Sequence, residues 1–287
     1  MRLTDSHLHL WDPAVLDYGW LSAVPQISGA QLPEQRAADE ADLQAAIVVQ
    51  ADCSPEQALE EANWVMRLAG QAPFNIVGMV AHVALNQPGG VSAQLKALQA
   101  IPRVVGVRHS LQNEDIALFY DAAYRDGMAT VARAGLTLDL CVRARQLAAS
   151  ADLLDWLFST VPHARVVLDH LGKPDIAGQE WDTWQQGIDR LAAFPGLWCK
   201  ISGLPTEANW DSWHEDELLP WIHHAIEVFG PQRCMFGGDW PVVKLAGGYS
   251  RWKRCVLKAI SPLPEDVQHA IMNDNALTFY LEKPGGH

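Results

Sequence analysis

The chain has 287 residues, 49% of them apolar, which suits a single domain with a large buried core. Its formal net charge of -13 and its lack of Lys/Arg clusters argue against a nucleic-acid partner, because phosphate binding needs such clusters. The five cysteines are scattered and form no CxxC pair, which suggests reduced thiols. The sequence shows neither a signal peptide, with a basic segment followed by an apolar one, nor an apolar run long enough to span a bilayer. We therefore predict a cytoplasmic protein without a membrane partner.

The first ten residues alternate apolar and polar side chains, a pattern that predicts a β-strand. His7 and His9 project to the same side of such a strand, with Cα atoms about 7 Å apart. Two imidazoles so placed can bind one divalent metal or polarise one carbonyl. Taken alone, the pair fits two strand histidines with ordinary hydrogen bonds equally well.

Strands and helices alternate along the rest of the chain. A long aromatic loop from Trp11 to Leu32 is predicted to be functional because of its length. Further strands are predicted at residues 46–51, 75–85, 104–109, 136–142, 165–170, 197–202 and 233–238. Helices are predicted at residues 33–43, 54–70, 91–99, 115–134, 144–160, 181–193, 211–229, 250–260, 265–272 and 275–282. Ser54 and Pro55 predict a helix start, and Gly135 predicts a helix end.

This alternation predicts parallel strands joined by right-handed crossovers. Eight strand–helix units in a chain of this length favour a closed (β/α)8 TIM barrel of the α/β class over an open doubly wound sheet. No GxGxxG motif follows any strand, which also disfavours a dinucleotide-binding fold. We therefore predict one barrel domain over residues 1–287, without linkers or internal repeats.

Polar residues recur where the predicted strands end, and barrel enzymes place their active sites at this rim. These residues are His7, His9, Asp52, His82, Arg108, His109, Asp139, Asp169, His170, Lys200, Ser202 and Asp239. A buried charge is costly unless it is paired, so an inert barrel would not need this set. Their shared position therefore predicts an active site.

Three motifs resemble the amidohydrolase superfamily, and in particular its amidohydrolase-2 branch. They are residues 5–13 (DSHLHLWDP), 168–174 (LDHLGKP) and 236–241 (FGGDWP). Within that branch the chain is most similar to the sugar-lactone hydrolases of the L-fuconolactonase and L-rhamnonolactonase type. The resemblance implies functional roles for His7, His9, His170 and Asp239. Members of this group open lactones, and some act without a required metal.

The chain departs from the binuclear members of that superfamily, which carry a bridging Lys or Glu on strand four and a His on strand five. Here those strands end in Arg108-His109 and in Asp139. We therefore expect at most one divalent ion, and imidazole and carboxylate ligands favour zinc. The expected ligands are His7, His9 and Asp239, with a metal that is idle or absent as the alternative.

Lactone opening needs a water made nucleophilic and a carbonyl made electrophilic. Asp239 is the expected general base, and His7 and His9, or a metal that they hold, would stabilise the oxyanion. His170 would bind the metal, orient the water or protonate the leaving alkoxide. The residues predicted to contact the substrate are Arg108, His109, Asp139, Lys200, Trp11 and Trp240.

Structural roles compete with these assignments. Arg108 and Asp139 could form an ion pair across the barrel mouth, and Lys200 could be paired elsewhere. The tryptophans near the motifs could stack on a sugar or pack the first loop. His82 is expected to be a core histidine in mid-strand, and His214 to lie on an outer helix.

Three functions remain open at this point. The first is a hydrolase that opens an aldonolactone such as L-fuconolactone. The second is a metal-dependent decarboxylase of an aromatic or muconate-type acid, for which Arg108 would bind the carboxylate. The third is a non-catalytic metal-binding or sugar-binding barrel. Acid release from lactones and carbon dioxide release from aromatic acids distinguish the first two.

Overall fold

The computed structural model describes residues 2–39, 42–87 and 89–282. Its eight strands are parallel and lie in sequential order in one sheet. They are β1 (Leu3–Leu8), β2 (Leu43–Val49), β3 (Asn75–Ala81), β4 (Val104–Val107), β5 (Thr137–Leu140), β6 (Val166–Leu168), β7 (Leu197–Ile201) and β8 (Cys234–Phe236). The sheet closes because Leu8 pairs with Trp240 just beyond β8, and the Asp239 amide donates to the His7 carbonyl at 2.8 Å. The predicted (β/α)8 barrel is therefore confirmed.

Helices follow the strands on the outside of the barrel. They are α1 (Pro33–Asp39), α2 (Ala58–Ala69), α3 (Gly90–Gln99), α4 (Ala122–Arg133), α5 (Leu147–Thr160), α6 (Trp181–Ala192), α7 (Glu215–Phe229), α8 (Tyr249–Ile260), α9 (Glu265–His269) and α10 (Asn275–Leu281). Among the described residues, no helix is long and apolar enough to cross a membrane. The predicted domain of residues 1–287 includes Met1 and residues 283–287, which lie outside the described residues.

Two apolar clusters form the core. The larger one packs the helices against the outside of the sheet. The smaller one includes Ile47, Val49, Val167 and Met235 from three strands, together with Phe279 and its neighbours on α10. Alternate residues of β2 divide between the two clusters, as the period-two geometry of a strand requires. Helix α10 therefore packs against side chains that belong to the inner face of the barrel.

The predicted strands are longer than the observed ones at their carboxyl ends. The predicted strand 75–85 ends at Ala81, so His82 lies just beyond β3 and not in mid-strand as expected. The first predicted helix ends too late, because Leu43 already belongs to β2. Residues 40 and 41, which the same helix was expected to include, lie outside the described residues.

Local capping explains two further differences. The predicted helix 115–134 is interrupted at Asp121, whose carboxylate accepts the Tyr124 amide and starts α4 anew. Ser54 does not cap a helix with its side chain, because its hydroxyl donates to Asp17 at 3.1 Å. Gly135 has φ of +79° after α4, which confirms the predicted helix end.

Candidate active site

A cavity of about 140 Å³ opens at the carboxyl ends of the strands. It is lined by His9, Trp20, Ala51, Asp52, Arg108, Gln112, Cys141, His170, Lys173, Asp239 and Val242. Several of these residues follow a strand directly, and Asp52, His170, Lys173 and Asp239 have positive φ angles. Such angles are uncommon for residues with a Cβ and occur often at functional sites.

His7 and His9 lie on β1 and just after it, and their Nε2 atoms are 3.1 Å apart. His9 Nδ1 donates to the Val49 carbonyl at 2.9 Å, which leaves Nε2 as the ring nitrogen that can act as an acceptor. Burial and the nearby Lys200 ammonium hold the pKa of His7 well below its usual value, and this ring is therefore neutral. The predicted convergence of the two imidazoles is thus present in the fold.

Asp239 lies just after β8, where the last strand segment pairs with β1, and it faces both histidines. Its Oδ1 lies 3.6 Å from His9 Nε2 and 4.0 Å from His7 Nε2. Burial alone would raise the pKa of this carboxyl, but His170, His9 and His7 outweigh burial and hold the pKa well below its usual value. Asp239 is therefore ionised at neutral pH and can accept a proton or bind a cation.

His170 completes this group. Its ring centroid is 4.4 Å from that of His7, and its Nδ1 shares a 2.8 Å hydrogen bond with the Ser202 hydroxyl. Burial lowers the pKa of His170 to about 3, so the ring is neutral. Gly203 permits this packing, because a Cβ there would lie 2.5 Å from His170 Nδ1. Ser202 and Gly203 are thus supporting residues whose part is visible only in the fold.

A layer of charged groups lies beneath His7. The Lys200 ammonium contacts Asp139 Oδ2 at 2.5 Å, Asp169 Oδ1 at 3.0 Å and His7 Nδ1 at 3.1 Å. The Tyr280 hydroxyl of α10 also donates to Asp139 Oδ2, at 2.7 Å. The side chains of Lys200, Asp139 and Asp169 are fully buried and do not line the cavity. This placement favours a positioning role for Lys200 and Asp139 over the predicted contact with substrate.

Arg108 borders both the cavity and this buried layer. It donates to the Gln50 carbonyl at 2.7 Å and lies 3.5 Å from Asp169 Oδ2. The alternative Arg108–Asp139 ion pair does not form, because Asp139 pairs with Lys200. The guanidinium remains available to a ligand in the cavity.

The other predicted substrate contacts lie farther back. Trp11 is fully buried and donates to the carbonyls of Ile27 and Gly29 within the first loop. Trp240 is also fully buried. His109 accepts the Leu85 amide at 3.1 Å, and burial lowers its pKa to about 4. None of the three lines the cavity, whereas Trp20 does.

Three polar residues of the cavity had no specific role assigned from the sequence. Asp52 lay at a predicted strand end, and Lys173 lay in the LDHLGKP motif, so a weak signal existed for both. Gln112 carried no signal, and it accepts a 2.7 Å hydrogen bond from the Lys173 ammonium. These side chains place an anion, a cation and an amide around the same small cavity.

The histidines and Asp239 fit one divalent ion. Possible ligand atoms of His7, His170 and Asp239 lie within 4.8 Å of one another. Two imidazole nitrogens bound to one tetrahedral zinc ion would be about 3.3 Å apart, close to the 3.1 Å between His7 and His9. In the described part of the chain, the other clusters of possible ligands share His7 or His170 with this one. One ion, not two, therefore suits the donor set.

Comparisons with known proteins show the family of this chain. The L-fucono-1,5-lactonase of Burkholderia ambifaria is 30% identical, over 98% of this chain and 97% of that protein. The L-fucono-1,5-lactonase of Burkholderia multivorans is 33% identical, over 89% and 90%. A crystal structure of an amidohydrolase from Burkholderia multivorans with bound zinc has 30% identity and a TM-score of 0.84, covering 98% of this chain and 99% of that one. Because the amidohydrolase family model also matches residues 4–281, the chain belongs to the amidohydrolase family.

Proposed function

We propose that this protein hydrolyses the ester bond of a sugar lactone, an aldonolactone such as L-fuconolactone, to the free sugar acid. The observation that carries the proposal is the convergence of one ionised carboxylate and three imidazoles, of which Asp239, His9 and His170 line one small polar cavity. The similarity to the L-fucono-1,5-lactonases of two Burkholderia species supports the same substrate class.

Asp239 is the proposed general base. It lines the cavity and is ionised, so it can take a proton from a water molecule that attacks the lactone carbonyl. His9 Nε2, 3.6 Å from this carboxylate, helps to orient the same water through its lone pair. The proton then resides on Asp239 while the tetrahedral intermediate forms.

His7 and Arg108 are the proposed groups that face the developing oxyanion. Arg108 lines the cavity and can donate from its guanidinium, and its Nη1 lies 3.4 Å from His7 Nε2, so both groups are close to the site where Asp239 activates the water. A donor already in place stabilises the new negative charge without reorganisation. A zinc ion held by His7, His9, His170 and Asp239 would, when bound, add Lewis-acid polarisation of the carbonyl.

Collapse of the intermediate releases the ring oxygen as an alkoxide, which needs a proton. When the Ser202 hydroxyl donates to His170 Nδ1, the hydrogen of this neutral ring resides on Nε2. His170 can therefore donate a hydrogen bond from Nε2 that orients the leaving oxygen, and Asp239 returns the proton that it took from the water to this alkoxide. The hydroxyl groups of the sugar acid would be bound by Asp52 and Lys173, which line the same cavity.

A screen of aldonolactones with a pH indicator tests the proposal. We expect acid release from at least one sugar lactone, well above the uncatalysed rate. A parallel panel of aromatic and muconate-type acids, followed by carbon dioxide release, is the comparison. Carbon dioxide release without lactone opening would contradict the proposal and favour the decarboxylase alternative. The lack of either reaction would also contradict it.

We also propose that the reaction takes place in the cytoplasm. All five cysteines are buried free thiols, which suits a reducing compartment. The net charge of -13 disfavours binding to nucleic acid or to an anionic membrane surface. A fractionation of the native host cells, with this chain detected by antibody, is the direct test.

A further inference from the structure

Asp52 follows β2 and is held at the cavity by the side chain of Gln50. The Gln50 side-chain amide donates to Asp52 Oδ1 at 2.9 Å, and its oxygen accepts the Asp52 backbone amide at 2.6 Å. Gln50 is itself buried, and its backbone carbonyl accepts Arg108 Nη2 at 2.7 Å. One buried side chain therefore fixes both the backbone and the carboxylate of Asp52.

The backbone of Asp52 has a conformation that few residues with a Cβ adopt. Its φ angle is +52°, a left-handed value that Asn and Asp tolerate better than most residues. Such a conformation persists where the surrounding contacts enforce it, and the Gln50 amide supplies those contacts. Asp52 is exposed to solvent and lines the cavity, so its carboxylate is charged at neutral pH. While Oδ1 accepts from Gln50, Oδ2 can accept a hydrogen bond from a ligand.

Trp20 lines the cavity next to this carboxylate. Its indole N–H donates to the carbonyl of Ala51, the residue before Asp52, at 2.8 Å. The ring is half-buried and packs edge-to-face against Trp11, with ring centroids 5.2 Å apart. An aromatic ring beside a charged acceptor matches a ligand that has a face of C–H groups and hydroxyl groups at its edge, as a sugar ring has.

The charges around the cavity are paired unevenly. Both cations that line it have a carboxylate close by: Arg108 lies 3.5 Å from Asp169 Oδ2, and Lys173 lies 3.6 Å from Glu207 Oε1. Asp52, in contrast, is held by the uncharged amide of Gln50. The positive charges are therefore largely compensated within the protein, whereas the Asp52 carboxylate keeps its negative charge for the ligand.

We propose that Asp52, positioned by Gln50, is a specificity-determining residue that binds hydroxyl groups of the lactone and rejects lactones that carry a carboxylate. A hydroxyl can donate a charge-assisted hydrogen bond to Asp52. A substrate carboxylate can only accept, and its charge is repelled by that of Asp52. The inference rests on the proposed function and narrows it to uncharged, polyhydroxylated lactones.

Asp52→Asn tests the charge and keeps the turn, because Asn also tolerates a left-handed φ and retains an acceptor for the Gln50 amide. Two matched substrates are compared: the aldonolactone that the wild type opens fastest, and the aldarolactone of the same configuration, whose terminal carbon is a carboxylate. Selectivity is the ratio of kcat/KM for the first to kcat/KM for the second. Competitive inhibition constants replace kcat/KM where the aldarolactone is bound but not opened.

We expect Asp52→Asn to lower this selectivity at least about tenfold, since a hydrogen bond to a charged group is lost for one substrate and a repulsion is lost for the other. KM for the aldonolactone should rise more than kcat falls, because Asp52 contacts the substrate away from the reacting carbonyl. Equal selectivity in the wild type and in Asp52→Asn would overturn the inference.

Gln50→Met tests the positioning role, because Met has a similar length but cannot make the two hydrogen bonds to Asp52. Selectivity should fall in this variant, and adding Gln50→Met to Asp52→Asn should lower selectivity no further. A full additional loss in the double variant would contradict a role of Gln50 through the charge of Asp52.

Failure of this inference and failure of the proposed function give different results. A wild type that opens no aldonolactone contradicts the proposed function and, with it, this inference. A wild type that opens an aldonolactone, with the same selectivity as Asp52→Asn, contradicts the inference alone.

Discussion

Asp239 is the residue on which the proposed chemistry depends most. Asp239→Asn keeps the size of the side chain and one acceptor oxygen but cannot take a proton at neutral pH. We expect lactone turnover to fall by at least about 10²-fold, the usual lower bound for loss of a general base. Turnover is measured with the pH-indicator assay, and circular dichroism verifies that the variant is folded.

His214→Asn is the control for this substitution. His214 is exposed, directly precedes α7 and makes no side-chain cap, so its replacement should leave turnover unchanged. An Asp239→Asn variant that keeps more than about a tenth of wild-type turnover would have lost less than the smallest amount expected when a general base is removed. The proton would then go to another group, and His170 would be the next candidate.

Glu61 on α2 should make stability depend on pH. Its side chain is buried, Oε1 accepts the Ala51 amide at 3.0 Å, and burial raises its pKa to about 7. Because this pKa lies above that of an unfolded glutamic acid, the folded protein binds the proton more tightly. This contribution to stability is complete below about pH 4 and is lost as the pH rises through about 7.

Glu61→Gln removes this titration and keeps the acceptor oxygen. The stability of the variant relative to the wild type should therefore rise by about 3 kcal/mol between pH 4.5 and pH 8. Urea unfolding at several pH values measures this difference. A difference that stays constant across the range would show that Glu61 does not titrate as its burial implies.

At the level of elements, the junction of β1 with the segment after β8 holds the site together. Asp5 Oδ1 accepts the His7 amide at 2.9 Å and the Gly238 amide at 2.8 Å, and so joins the two chain segments that carry the HxH pair and Asp239. Asp5→Ala would leave two buried amides without an acceptor. We expect the free energy of unfolding to fall by about 3 kcal/mol.

Urea unfolding measures this loss, and Asp126→Ala is the matched control. Asp126 is exposed in α4, so the same substitution there should change stability by less than about 0.5 kcal/mol. Equal effects of the two substitutions would mean that the barrel closure does not depend on Asp5.

For the whole molecule, the closed barrel predicts how much metal it can hold. The strand ends supply one group of ligands, and the other possible clusters in the described residues share His7 or His170 with it. We therefore expect at most one equivalent of divalent metal per chain. Metal analysis after dialysis against zinc, combined with activity before and after chelation, checks this expectation. Two bound equivalents, with activity following the second, would contradict it.

The sequence by itself determined the fold and the chemistry of the rim. Alternation at period two and the regular succession of strands and helices are local patterns, so they predicted the (β/α)8 barrel without knowledge of any distant contact. In a barrel of parallel strands, the strand ends meet at one mouth. The strand-end position placed His7, His9, His170 and Asp239 in one larger set, the resemblance to the amidohydrolases selected these four, and the fold brings them together.

Only the tertiary structure decided which polar side chains face the cavity and which lie beneath it. Lys200 and Asp139 occupy strand positions much like those of the cavity residues, but Tyr280 of α10 reaches Asp139 inside the barrel. The turns with positive φ that place Asp52 and Lys173 at the cavity are likewise absent from any periodic pattern. The sequence could not predict either placement, for one physical reason. Whether a charged side chain is buried and paired depends on contacts between segments far apart in the chain, and local periodicity carries no information about those contacts.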